Sequence, residues 1–211
     1  MTFLGIPTDI IIAFLTGIVG PISVYIIKLK LDKSQKKKND KEDIVTNSIV
    51  ASQLISDEVD YIRNQIKADR TYICQFHNGG HFYPTGRSIQ KFSMFYESDA
   101  PGISMIRTMF QNIPVSLFNK ALIELSEKES FLVSDFGDDS ATHYGLKQAS
   151  ESSGSKTSYY VAIKTLDEKF IAFLGVDYVS NKKELTAQEI SFINFKAQEL
   201  SGYIMNFLET K

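Results

Sequence analysis

The stretch Phe76-His77-Asn78-Gly79-Gly80-His81-Phe82-Tyr83, followed by Arg87, holds the residue types in this 211-residue chain best suited to seizing a ligand. Two adjacent glycines let a backbone come close to a bound molecule. Asn78 and Arg87 bring donors for an anionic or amide group, and Phe82 and Tyr83 bring faces on which a ring stacks. The expectation is a ligand-binding loop at a strand end, made of His77, Asn78, Gly79, His81, Phe82, Tyr83 and Arg87, where function commonly sits on a rigid scaffold. The plainer alternative is a glycine-rich hairpin whose aromatics cover a sheet edge. His77 and His81, four apart across the glycine pair, could take a metal with a third ligand such as Asp135 or Asp138. Histidine pairs in loops more commonly just hydrogen-bond at the surface, so no metal is assigned and no cofactor is named.

Catalytic patterns are absent from the sequence. No serine or cysteine sits in a recognisable nucleophile elbow, so no catalytic residue is assigned and the chain is read as non-enzymatic. Asp135-Phe136-Gly137 copies the magnesium-binding triplet of protein kinases, but no glycine-rich phosphate loop, strand lysine or catalytic loop accompanies it. The single cysteine, Cys74, rules out an internal disulfide. Its place between Ile73 and Gln75 reads as a small core residue.

The elements that must position these residues follow from apolar period. Strands are expected over 71–77 and 88–97, flanking the glycine loop, and over 130–134. Residues 158–164 and 170–179 form a hairpin around Leu166-Asp167-Glu168, the second strand nearly all apolar, as a strand covered on both faces would be. Helical patterns occupy 103–110 and 116–127, with a polar stretch from 135 to 155 expected to hold a short helix. Thr186 and Glu189 make a capping box. Behind it Ile190, Ile193, Ala197, Leu200, Ile204 and Phe207 recur at three- and four-residue steps. An earlier helix is expected from Asp43 to Lys67. Val45, Ser52, Val59 and Ile66 are spaced by seven on it, with Ile55 and Ile62 between. The half from Ile55 to Ile66 is expected on the chain's own sheet. The alternative is a parallel coiled coil with a second copy.

The charge distribution is lopsided. From Lys28 to Glu42 seven lysines face three acids, whereas the chain from Asp43 onward carries 16 basic and 21 acidic residues. A basic collar on an acidic body does not fit a nucleic-acid-binding domain. Ahead of the collar, Ile10 to Ile27 is an 18-residue run without a charge, near the roughly 20 apolar residues that span a bilayer. Snorkelling lysines extend it to Leu31. The lysines follow the run, which argues against a cleaved signal peptide. The expected layout is a short extracytoplasmic N-terminus at 1–9, a transmembrane helix at 10–31 contacting the lipid bilayer, a basic juxtamembrane linker at 32–42 and a cytoplasmic domain at 43–211. The positive-inside rule sets that orientation, a single pass through a cell inner membrane with the N-terminus outside.

The segment SYYVAIKTLDEKFIAFLGVDYVSNKKELTAQEISFINFKAQELSGYI, a strand, a turn, a strand containing Gly175, a polar loop and an LT-x-x-E helix start, resembles the ending of the GAF domain family. The order of elements over about residues 43–209 is also similar to that family, with PAS-like domains the nearest competitor. The resemblance implies an α+β fold: an antiparallel sheet with the N- and C-terminal helices on one face and a ligand pocket on the other. It further implies a sensory or regulatory protein, commonly dimeric, without naming the ligand. Bilin-attached members need a cysteine at the pocket, sulfoxide-reductase members need several cysteines, and the Asn-Lys-Phe-Asp-Glu signature of the phosphodiesterase members is absent here. Two functions stand as expectations. One is a membrane-anchored, GAF-like homodimeric sensor that binds a small-molecule ligand or a partner and signals through its N-terminal helix. The other is a ligand-free membrane-tethered adaptor or dimerisation module, for instance phage- or plasmid-borne.

Overall fold

The computed structural model of the protein describes residues 2–3, 6–7, 20–82, 84–136 and 144–209. The chain divides into two compact units, residues 1–49 and 50–211. In the first, β1 (Thr2–Phe3) pairs antiparallel with β2 (Ile6–Pro7). Helix α1 (Gly20–Ile66) begins at Gly20-Pro21, where proline suits a first helical turn because its missing N–H would have had no partner there. The helix therefore starts well ahead of the expected Asp43, and the polar residues 32–42 lie within it. No helix among the described residues is long and apolar enough to cross a membrane. More than half of the uncharged run, residues 10–19, lies outside the described residues.

The second unit is built on a six-stranded antiparallel sheet of β3 (Arg70–His81), β4 (Ser88–Asp99), β5 (Ile113–Pro114), β6 (Ser130–Val133), β7 (Thr157–Lys164) and β8 (Phe170–Tyr178), in the order β5-β4-β3-β8-β7-β6. Three further helices are α2 (Asn119–Lys128), preceded by a 3-10 turn (Val115–Phe118), α3 (Tyr144–Ser153) and α4 (Ala187–Glu209). Strand β8 shows why the sheet is covered on both sides. Side chains alternate between faces, and here Ala172, Leu174, Val176 and Tyr178 join one buried cluster while Phe173 joins the other.

The first cluster takes Ile55, Val59, Ile62 and Ile66 from α1 and Ile193, Ala197, Leu200 and Ile204 from α4. The stripes at three- and four-residue steps thus lie on the sheet, as expected. The capping box forms, with the Glu189 N–H donating to Thr186 Oγ1 at 3.2 Å and the Thr186 N–H donating to Glu189 Oε2 at 2.8 Å. Helix α1 ends at Lys67, which takes a left-handed φ of 52°. The Ala68 N–H returns to the Arg63 carbonyl, and the Tyr178 hydroxyl caps the carbonyl of Ile66. The second cluster lies under α2, α3 and the 3-10 turn, which contribute Ala121, Leu125, Leu146 and Phe118.

One expected helix, 103–110, does not form. After the Pro101-Gly102 turn the chain runs back along β4 as irregular backbone, and the Phe110 carbonyl accepts the Met94 N–H at 2.8 Å. The apolar spacing of Ile103, Ile106 and Phe110 serves this edge, with Ile106 and Phe110 reaching the second cluster.

Because Ile62 is fully buried between α1 and the sheet, Ile62→Ala is expected to cost about 2–5 kcal/mol. Ile123→Ser, at an exposed position of α2, is expected to stay within about 0.5 kcal/mol. Urea melts of the two variants against the parent check this, and equal losses would mean α1 does not pack as described.

Candidate functional site

Six of the seven loop residues singled out in the sequence, all but Tyr83, lie on or beside the β3–β4 hairpin. Past Gln75, β3 pairs with β4 alone. His77 Nε2 bonds the Ser93 hydroxyl at 2.8 Å and its Nδ1 lies 3.2 Å from the Asn78 carbonyl oxygen. The Asn78 side-chain oxygen accepts from Gln90. A Cβ on Gly79 would meet Lys91 Cδ at 2.3 Å, so any larger residue there would have to push the lysine side chain aside. His81 is exposed and faces Ser88 across the ladder. The Phe82 N–H donates to the Arg87 carbonyl and its own carbonyl accepts from Gly86, which closes the turn. The side chains of Phe82 and Arg87 are exposed, and Tyr83 lies outside the described residues. Ser93 also accepts the Asn112 N–H and is 3% exposed, so the serine–histidine pair joins β3, β4 and the following loop and offers no open nucleophile. Among the described residues no cluster of metal-ligating side chains exists.

The cavity lies elsewhere, on the sheet face away from α1 and α4. It encloses about 40 Å³. Its walls are apolar, from Phe92, Met94 and Phe173 on the sheet to Leu122 and Leu125 on α2 and Leu146 on α3. One end is different. There Tyr72, Tyr160, Ser150, Ser153, Ser155 and Asp177 supply hydroxyls and a carboxylate. Gly175 makes this pole: it stands opposite Tyr72 across β8 and β3, and a Cβ on it would meet Tyr72 Cζ at 2.3 Å. A side chain at 175 would therefore displace the tyrosine from the cavity floor. Near Leu122 the cavity is bordered by an open groove of about 550 Å³, which Leu122 also lines, with Phe76, Val115 and Phe170 as further apolar walls.

The pole is tied to a buried ion cluster. Asp177 Oδ1 accepts from Ser158 at 2.6 Å, and its Oδ2 from Ser155 at 2.8 Å. Arg70, fully buried, reaches Asp177 with Nη1 at 3.4 Å, Asp99 and Glu97 with Nε at 3.0 and 3.3 Å, and the Ser104 carbonyl with Nη2 at 2.8 Å. Burial pushes the Asp177 carboxyl above the usual carboxylate range, against the pull of Ser158, Ser155 and Arg70. Burial likewise raises Glu97, although the N–H groups of Ile106 and Arg107 draw it back, and raises Asp99 against Arg70. The Tyr72 and Tyr160 hydroxyls and the Cys74 thiol are pushed up by the same desolvation. Cys74 is both a core residue and a cavity wall, and its raised pKa leaves it a poor nucleophile.

No protein-family model and no curated relative matches the chain. Solved structures do match. The blue-light absorbing form of the Thermosynechococcus elongatus PixJ GAF domain aligns with a TM-score of 0.61 at 17% identity, covering 78% of this chain and 91% of that one. A phycoerythrobilin-bound GAF domain from a cyanobacterial phytochrome aligns at 0.58 and 15%, covering 81% and 92%. A GAF domain/HD domain protein from Geobacter sulfurreducens aligns at 0.56 and 10%, covering 75% and 95%. The fold is that of a GAF domain. The likeness seen in the C-terminal quarter of the sequence thus holds for the architecture, with first and last helices on one face and the cavity on the other. Within this GAF fold the sequence pointed to the hairpin. The cavity residues Tyr72, Tyr160 and Asp177 carried a fainter signal, chiefly an acid inside the otherwise apolar FIAFLGVDYV.

Each of the three acids binds its proton more tightly folded than unfolded. Each therefore adds stability below its ordinary pKa that is lost as pH rises through the raised value. Without Arg70 those values rise further, so Arg70→Met is expected to cost about 3–5 kcal/mol near pH 8 and less near pH 5, since proton uptake by the raised carboxyls offsets the loss as pH falls. Denaturant melts at both pH values test it. A loss independent of pH would mean that the guanidinium acts by packing alone.

Proposed function

We propose that this chain is a membrane-tethered, non-catalytic sensory or regulatory protein. Its GAF-fold domain binds a small molecule between the sheet and helices α2 and α3, and passes the bound state along α1 to a membrane span at residues 10–31. The observation that carries the ligand reading is the make-up of the cavity, apolar walls ending in a pole of hydroxyls and one buried carboxylate. That mixture is characteristic of small-molecule sites, where apolar contact supplies affinity and a few fixed polar groups supply orientation. One structural neighbour holds phycoerythrobilin; the cavity here, about 40 Å³ and walled by side chains of the sheet, α2 and α3, favours a smaller ligand. The tether rests on the uncharged run and the lysines behind it, whose position supports a cytoplasmic side for the domain. Val45 and Ile49, exposed on α1, support pairing of this helix with a second copy in a homodimer.

The small cavity also favours a second reading, a ligand-free adaptor or dimerisation module. In that case the hairpin residues His77, Asn78, Gly79, His81, Phe82, Tyr83 and Arg87 act as a contact surface for a partner.

Two measurements test these readings. The full-length chain is expected in the membrane fraction, released by detergent and not by high salt. A soluble, monodisperse full-length chain would overturn the tether. A saturating ligand present at about a hundred times its dissociation constant is expected to add about 2.7 kcal/mol of stability. A screen of metabolites by thermal melting that moves nothing would favour the adaptor.

A further inference from the structure

We infer that the cavity is built for a compact amine, with a cationic, hydrogen-bond-donating head at the Asp177 pole and an apolar body directed past Leu122 toward the groove. This rests on the ligand reading above and gives it a chemical class. Among the described residues no lysine, arginine or histidine lines the cavity, so an anionic head would face the Asp177 carboxylate with only neutral hydroxyls to replace its lost hydration. The nearest cation, Arg70, has its nitrogens taken up by Glu97, Asp99, Asp177 and the Ser104 carbonyl. Arg63 of α1 is likewise bonded, to Asp60 of its own helix and to Ser98. One guanidinium thus serves three carboxylates, and the pole is short of positive charge. An ammonium head supplies it.

Hydrogen-bonding capacity agrees. Asp177 Oδ1 receives one hydrogen bond, from Ser158, and a carboxylate oxygen has room for a second. The hydroxyls of Tyr72 and Tyr160 line the same cavity, and a hydroxyl can accept as well as donate. The volume sets the rest. The cavity of about 40 Å³ exceeds the roughly 10–15 Å³ that one water needs on the same measure, so it admits a compact polar head with part of an apolar body. Any apolar body has to extend along the sheet, from Asp177 past Phe173 toward Phe170. Leu122 is the side chain shared by the cavity and the groove at that end.

The test uses the full chain in detergent with ¹³C-methyl-labelled methionine. Met94 lines the cavity, whereas Met105 and Met109 are exposed, so the first reports occupancy and the other two are internal controls. Phenethylamine is expected to shift the Met94 methyl saturably while Met105 and Met109 stay put. 2-Phenylethanol is expected to bind more weakly, and 3-phenylpropionate not at all. Asp177→Asn is expected to weaken phenethylamine by about thirtyfold or more. Because that change also disturbs Ser155, Ser158 and Arg70, Leu122→Ala gives a second readout with the pole intact. It is expected to tighten phenethylamine several-fold and leave methylamine unchanged. If the alcohol or the carboxylate moved Met94 at concentrations equal to or below the amine, the charged-head inference would be overturned while the cavity reading stood. If no probe of any charge moved Met94, both would fall.

Discussion

Burying one guanidinium among three carboxylates is the constraint on which the domain turns. Arg70 opens β3, Glu97 and Asp99 close β4, and Asp177 lies near the end of β8. All four charged side chains are buried or nearly so. Removing such groups from water is expensive, and the expense is recovered only when every partner is in place with good geometry. The cluster therefore works as a lock on register. A slip of one residue in β3 would turn Arg70 to the other face of the sheet, leaving three uncompensated acids in the interior. The loop after β4 is held to the same centre, through the Ser104 carbonyl on Arg70 and through the Ile106 and Arg107 N–H groups on Glu97.

From that lock the two faces of the sheet take different work. The face under α1 and α4 is filled mainly by branched aliphatic side chains from both helices and β8. The opposite face carries aromatics. Phe76, Phe92, Phe118, Phe170 and Phe173 meet edge to face or tilted, with centroids 4.8 to 6.4 Å apart. Gly175 carries no side chain, and the Tyr72 ring lies over it. The polar pole follows from that choice of residue, which lets the Tyr72 hydroxyl reach the cavity lining.

Much of this architecture was legible before any coordinates because its determinants are local. The capping box at Thr186 and Glu189, the stripe from Ile193 to Ile204 and the β7–β8 hairpin each declare themselves within a dozen residues. The stretch 103–110 misled because its apolar spacing imitates a helix. What decides its conformation is remote: the Glu97 carboxylate takes the N–H groups of Ile106 and Arg107, and β4 takes the Phe110 carbonyl. The candidate site was hidden for the same reason. Glycines and histidines crowd visibly into one hairpin, whereas Tyr72, Tyr160 and Asp177 are spread over a hundred residues and look like ordinary strand positions. Only the register of β3 with β8, and of β8 with β7, brings them to one end of a cavity.

The same register also places the pole within a few bonds of α1. Asp177 binds Arg70, Arg70 binds Asp99, and next to Asp99 in β4 stands Ser98, whose hydroxyl donates to Asp60 of α1 and accepts from Arg63 of α1. One turn further on, the Tyr178 hydroxyl beside Asp177 in sequence holds the last carbonyl of that helix. A group entering the cavity and competing for Asp177 would alter how Arg70 is shared between β8 and β4, and each of those strands has its own hydrogen bond to α1. Coupling of this kind needs no movement of the packed aliphatic layer. It needs a buried cation with more partners than it can serve equally, and Arg70 is such a cation.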